Sequence, residues 1–436
     1  RPCRVRRPGG GKLPRAVCNG PRVAAVGGEE QFEPPAQGEL AGEAARRSMV
    51  LLKNEGGLLP LRKDLASLAV IGPNAASTRN LLGDYAYSAH VNRAEDAVRI
   101  VSVLEGIKAA VSPETQVHYE EGCTILGQDR SGIPKAVEAA RQADAVILVV
   151  GGRSGLSGVN TLSEDERYMS GELSGDQLDS DGEFQDRTDL DLPGVQRELV
   201  EQVLAVGKPT VVVLVNGRPL ALPWLHKQAP AILEAWLPGE EGGHAVADIL
   251  FGDYTPGGRL PVSIPQDVGQ LPVHYNRKYI SKNRHYLTMS SRPLYPFGYG
   301  LSYTSFEYGD FAAAFQGEEL VVSCSITNTG DRGGHEVAQL YVADRVASRV
   351  RPTLELKGFQ AVYLEPGESK RLTFRVPLEL LSFLNELGQW ITEPGEFWVA
   401  VGRSSEEFPL ETVLTLEGGL RRYPQRQVFF STCTVE

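Results

Sequence analysis

The sequence predicts an α/β chain: a three-layer α/β sandwich with a mostly parallel sheet over residues 41–303, followed by an all-β sandwich over 304–436. Three observations carry this. Short apolar, β-branched runs stand at 68–71, 146–150, 211–215 and 232–236. Helical segments at 134–141 and 195–206 fall between them and supply crossovers. After Phe306 the pattern switches to alternating strands at 320–327, 336–342, 372–376 and 395–401, separated by turn signals such as Asn328, Thr329, Gly330 and Pro366, Gly367. Continuous apolar runs suit strands buried on both faces of a parallel sheet, whereas alternation without helical crossovers suits an antiparallel sandwich.

Taken in order, residues 1–40 are rich in Arg, Gly and Pro, show no buried-face period, and are expected to be a poorly ordered tail or remnant linker. Residues 43–52 read as an amphipathic helix ended by Asn54, Gly56 and Gly57. The strand at 146–150 then feeds a long segment, opened by Gly151 and Gly152, in which no regular pattern resumes until Leu192, Pro193 and Gly194. Loops of that length inside a domain are usually functional or disordered.

Composition narrows the function. A chain of 436 residues exceeds what one core usually serves. A net charge of −11 argues against nucleic acid as a partner, because phosphate binding needs clustered Lys and Arg. No apolar run is long enough for a membrane span. The five cysteines, Cys3, Cys18, Cys123, Cys324 and Cys433, lack metal-ligand spacing, so neither zinc nor a disulfide scaffold is expected. The chain opens on Arg1 with no apolar signal segment, which leaves the compartment unknown and reads as a start lying elsewhere.

The long segment is strongly acidic, holding Glu164, Glu166, Glu172, Asp176, Asp179, Asp181, Glu183, Asp186, Asp189 and Asp191. Glycoside hydrolysis needs one carboxylic acid to protonate the departing oxygen and a second carboxylate at the anomeric carbon. By composition alone the same run reads first as a solvated surface. A calcium loop aligned on Gly182 fails, since it places Gln177 at the first ligand position and Thr188 at the last. Gly151, Gly152 and Gly155 lack dinucleotide-loop spacing, and Gly152, Arg153, Ser154 and Gly155 hold a serine without the G-x-S-x-G spacing of a nucleophile elbow.

Four segments together resemble glycoside hydrolase family 3: AARRSMVLLKNEGGLLPL at 44–61 with Ile71, Gly72, Pro73 and Asn74 after it, KPTVVVLVNGRPLAL at 208–222, LEAWLPGEEGGHAVADILFGDYTPGGRLPVSIP at 233–265, and PLYPFGYGLSYTSFEY at 293–308. The resemblance covers roughly residues 38–435. It implies that the second unit is fibronectin type III-like, and that a (β/α)8 barrel carrying the nucleophilic Asp precedes both. Nothing in this chain matches that barrel, so no nucleophile is expected here, and a missing or separately encoded barrel is the implied partner.

The family's acid/base segment is similar to Gly182, Glu183, Asp186, Arg187, Leu192, Pro193 and Gly194, which nominates Glu183, with Glu172 of a second Ser-Gly-Glu as the lesser candidate. Phe184 departs from the small residue frequent there. Asp186 and Arg187 are candidates to hold the sugar or to form a local ion pair. The implied activity is retaining, β-glucosidase-like hydrolysis of a terminal β-linked glucose or related sugar, with no metal or organic cofactor. A chain without the barrel is expected to be inactive or nearly so. The competing expectation is a non-catalytic carbohydrate- or partner-binding remnant.

Overall fold

Four of the six strands in the first sheet carry Val, Leu, Ile or Ala at all but one position, and the sheet they build is buried on both sides. The computed structural model describes residues 35–86, 98–155, 179–182, 186–278 and 286–436. Its elements begin with helix α1 (Pro35–Ser48), β1 (Val50–Asn54), β2 (Ser67–Ile71), α2 (Val103–Ala110), β3 (Gln116–Glu120) and α3 (Ile133–Gln142). They continue with β4 (Ala145–Gly151), α4 (Gln196–Leu204), β5 (Thr210–Val215), α5 (Pro223–Gln228), β6 (Ala231–Glu234) and α6 (Gly242–Leu250).

The strand order is β1-β6-β5-β4-β2-β3. All pairings are parallel except β1 with β6. Alternate residues of each strand feed opposite layers. Val70, Ile147, Val149 and Val213 pack with α2 and α6 through Val103, Ile107, Val246 and Ile249. Ile71, Val146, Leu148 and Val212 pack with α3 and α4 through Ile133, Ala140, Leu199 and Val203. Full burial of each such side chain stabilises by roughly 1.5–3 kcal/mol, so the two layers together dominate the energetics.

Helices α2 and α6 touch through backbone. A Cβ on Gly106 would lie 2.0 Å from the Gly243 carbonyl oxygen, and one on Gly243 would lie 2.1 Å from that of Ser102. Ser102 and Glu105 form a reciprocal capping box that starts α2 at this contact.

Two expectations near the start need correction. The helix predicted over 43–52 ends at Ser48, and residues 50–54 form β1 against β6. Val50, Leu51 and Leu52 are all buried, with Leu51 in one layer and Val50 and Leu52 in the other, so an open sheet edge outweighs the local helical pattern. Residues 35–40, expected in a tail, belong to α1, which opens on Pro35 where a missing N–H costs nothing. The rest of the predicted tail lies outside the described residues.

Beyond Tyr303 the chain is all-β: a sheet ordered β10 (Glu355–Leu364), β9 (Gly334–Asp344), β14 (Gly395–Gly402), β15 (Leu410–Leu416) faces one ordered β17 (Thr432–Val435), β11 (Ser369–Pro377), β8 (Glu319–Asn328), β7 (Phe306–Gln316). Leu320, Val322, Ile326, Leu340, Phe374 and Val399 fill the space between them. A small sheet of β12 (Phe383–Leu384), β13 (Trp390–Thr392) and β16 (Arg421–Tyr423) sits alongside. The fold class is therefore the one the sequence predicts: a three-layer α/β sandwich with a mostly parallel sheet, then an antiparallel β-sandwich.

Candidate active site at the sheet switch point

After β2 the chain passes outward to β3 and returns on the other side of β2 to form β4. That reversal puts a switch point outside the carboxyl ends of β2 and β4, which is where the ligand crevice of an open α/β sheet lies. Buried polar groups build it. Asn74, fully buried, donates from Nδ2 to the carbonyls of Gly152 at 3.2 Å and Val215 at 3.3 Å, and its Oδ1 accepts from Asn80 Nδ2 at 2.7 Å. One side chain thus ties together the ends of β2, β4 and β5.

Gln196, the first residue of α4 and also fully buried, clamps the last residue of β4: its Oε1 accepts from Gly151 N at 2.9 Å, and its Nε2 donates to Gly151 O at 2.8 Å and Ile125 O at 3.0 Å. Gly151 has φ 140°, and a Cβ there would meet Val215 O at 2.1 Å, so only glycine fits this exit.

The acidic segment leaves from this exit, and the structure describes both of its stems. Ser180 N and Asp181 N donate to Arg153 O at 2.9 and 3.2 Å, Gly155 N donates to Asp181 O at 3.1 Å, and Arg153 N donates to Ser180 Oγ at 2.8 Å. A parallel bridge joins Ser154 to Asp181. The stems are zipped side by side over the crevice. Gly182, at φ 122°, has Gly155 O only 2.4 Å from where a Cβ would stand, so the backbone immediately before Glu183 is held against the opposite stem.

Charge is concentrated at the same place. Arg153 pairs with the buried Asp179 at 2.8 Å, and Arg218 reaches Asp181 at 3.5 Å. Arg79 lies beside them with Nε and Nη1 buried and unpartnered; burial first, and the Arg153 charge second, disfavour its cation. At the end of β6, Glu234 is 1% exposed, and burial pushes its carboxyl up to about 8, so it is neutral at pH 7. Its Oε1 accepts from Trp236 N at 3.1 Å, supporting Trp236 in a left-handed turn at φ 56°.

The nominated residues divide. Glu183 and Glu172 lie outside the described residues. Arg187 is mostly buried and donates from Nη2 to Asp189 Oδ1 at 2.8 Å and to Asp191 O at 2.6 Å, rather than pairing with Asp186. Asp186 is exposed. The anchors Asn74, Gln196, Arg79 and Arg153 were not nominated from sequence; the Gly-Pro-Asn turn and the paired glycines at 151–152 were the only local signals. Among the described residues no cluster of three or more His, Cys, Asp or Glu could hold a metal ion, and no helix is long and apolar enough to cross a membrane.

Comparison with known proteins decides the family. The glycosyl hydrolase family 3 C-terminal domain matches residues 49–303, and a fibronectin type III-like domain matches 336–405. The chain belongs to glycoside hydrolase family 3. Among its family 3 relatives, a β-xylosidase of Formosa agariphila is 41% identical over 383 residues, 86% of this chain and 49% of that protein. The periplasmic β-glucosidase of Salmonella typhimurium is 38% identical over 402 residues, 84% of this chain and 48% of that one. In structure, a β-glucosidase of Erythrobacter marinus superposes with TM-score 0.74 at 40% identity, covering 87% of this chain and 50% of its own. A Listeria innocua β-glucosidase in complex with glucose gives TM-score 0.76 at 31% identity, covering 91% and 52%. This family 3 chain spans about half the length of the curated relatives it matches.

Proposed function

We propose that the chain is the acid/base-bearing part of a retaining β-glycosidase, with Glu183 as the acid/base and the nucleophilic Asp on a (β/α)8 barrel that the described residues do not include. The observation supporting this reading most is the zipped base of the acidic segment, which holds the backbone at Gly182 over the switch-point crevice one residue before Glu183.

In this scheme Glu183 protonates the glycosidic oxygen as it leaves and then, as a carboxylate, removes a proton from the water that hydrolyses the glycosyl-enzyme. Retaining chemistry needs the two carboxyl groups about 5–5.5 Å apart, so docking of the barrel onto the crevice completes the site. The β-xylosidases and β-glucosidases among the relatives make a terminal β-linked xylose or glucose the substrate class. Arg187, held by Asp189 and Asp191, orients the returning stem.

The test is hydrolysis of aryl β-glucosides and β-xylosides by this chain joined to a family barrel, beside Glu183→Ala and Glu172→Ala. Glu183→Ala is expected to lower turnover by about 10²–10⁴-fold. The loss should be greatest for poor leaving groups, and added azide should restore rate by attacking the glycosyl-enzyme. Loss in Glu172→Ala with Glu183→Ala unaffected would move the role to Glu172. Sugar binding with no turnover in the joined chain would replace the enzyme reading with a binding one.

A further inference from the structure

One cleft lies on the seam between the α/β layers and the β-sandwich, and a second adjoins it on the β-sandwich alone. The first, of about 660 Å³, is lined in part by Tyr275, Arg277, Arg292 and Phe408. The second, of about 740 Å³, is lined by segment 343–354 and Trp398. Both are walled by Thr353 and Leu354, and the Phe408 ring stands edge-on to Trp398 with centroids 5.0 Å apart, so the two form one groove. The wall is stitched together: Thr353 N and Oγ1 donate to Arg277 O at 2.9 and 3.1 Å, and Leu356 N donates to the Tyr275 hydroxyl at 3.3 Å.

The groove is cationic within a chain of net charge −11. Most described arginines are bound to a carboxylate, a carbonyl or a hydroxyl. The described arginine side chains with no hydrogen bond, ion pair or ring contact are Arg79, Arg277, Arg292, Arg345, Arg349 and Arg422, and four of these line this groove. Against them each cleft places one carboxylate among the described residues, Glu406 in the first and Asp344 in the second, while Arg351 is committed to Glu355 at 2.8 Å.

Unpaired guanidiniums present a planar fork of donors that matches a carboxylate, and they cost less to desolvate than ammonium groups. Between them lie aromatic faces held in place by their neighbours: Tyr275 stacks on Phe297 at 4.3 Å, and Trp398 Nε1 donates to Glu411 at 2.9 Å. Aromatic rings offer the apolar body on which a sugar ring rests.

We propose that this groove binds an acidic polysaccharide, a uronate-bearing chain whose carboxylates meet Arg277, Arg292, Arg345 and Arg349 while its rings lie on Tyr275, Phe408 and Trp398. The aromatic faces beside the guanidiniums favour an exposed sugar ring over duplex DNA, whose bases are stacked inside the helix. The binding does not depend on the role of Glu183.

The experiment is affinity electrophoresis and calorimetry of the full chain with polygalacturonate, a neutral β-glucan and duplex DNA. Polygalacturonate is expected to bind, more weakly as salt rises. Arg345→Gln with Arg349→Gln, or Arg277→Gln with Arg292→Gln, should weaken it by about tenfold or more, and Arg422→Gln should leave it unchanged. These side chains make no hydrogen bond, ion pair or ring contact, so the variants are expected to keep the fold. The proposal is overturned if polygalacturonate does not bind at low salt, if the paired substitutions do no more than Arg422→Gln, or if the β-glucan or DNA binds as tightly.

Discussion

Arg259 and Glu336 meet at 2.7 Å between the segment following α6 and strand β9, with side chains only 9% and 2% exposed. Glu336 also accepts from the Tyr308 hydroxyl at 2.7 Å, and Arg259 Nη1 donates to the carbonyls of Gly257 and Gly258. The pair locks the sandwich onto the α/β layers, and with it the cleft between them that Tyr275 and Phe408 line.

Removing one partner of such a pair leaves a buried charge uncompensated. Glu336→Ala is expected to destabilise by about 3–5 kcal/mol in urea unfolding, and Arg259→Met with Glu336→Leu to recover most of that loss. Equal destabilisation by the double variant would show that the pair contributes net stability rather than specificity.

Glu234 makes stability depend on pH in a definite direction. Its folded carboxyl titrates near 8 and the unfolded one near 4.5, so between these values the folded state holds a proton that the unfolded state has lost. Its contribution is therefore fully present below about pH 4.5 and lost as pH rises towards 8, at about 1.4 kcal/mol per pH unit. Glu234→Gln should flatten that decline, so the variant's Tm rises relative to that of wild type from pH 5 to pH 8. Parallel Tm profiles would refute a neutral buried carboxyl.

At the α2–α6 contact a methyl group has no room. Gly106→Ala and Gly243→Ala each place a Cβ about 2 Å from a backbone oxygen, and the helices must separate. Each is expected to cost roughly 1–3 kcal/mol or more, read as a drop in denaturation midpoint. Gly207→Ala, with nothing near its Cβ but a φ of 79°, separates the cost of strain from that of the clash.

The Gln196 clamp predicts a local effect as well as a global one. Gln196→Ala strands the N–H and C=O of Gly151 in the interior, a loss of about 1–3 kcal/mol. Amide exchange at Gly151, Gly152 and Arg153 should rise more than exchange in β5. Uniform acceleration throughout the sheet would mean that the clamp supports the sheet and not the exit to the acidic segment.

Much of the fold could be read from residues. The runs at 146–150 and 211–215 are apolar on both faces because both faces meet helices, and that pattern survives without knowledge of neighbours. β1 could not be read, since Val50 to Leu52 continue a helical pattern and become a strand only because β6 offers an open edge. β3 was missed for the opposite reason: Gln116, Val117, His118, Tyr119 and Glu120 lie at the outer edge, largely uncovered, and carry no apolar run.

The candidate site divides in the same way. The acidic segment and its Gly-Glu pair are contiguous in sequence, so their chemistry is visible there. The crevice depends on Asn74, Arg79, Arg153, Asp181, Gln196 and Arg218, which are scattered along the chain and meet only where the strand order reverses. Side-chain type and period thus determined the α/β class and the β-sandwich, and the resemblance of four segments pointed to the family. Which edge strand formed, which glycines became contacts and which polar groups converged were decided by tertiary packing, because buried hydrogen bonds and backbone contacts between distant residues leave no periodic trace in the chain.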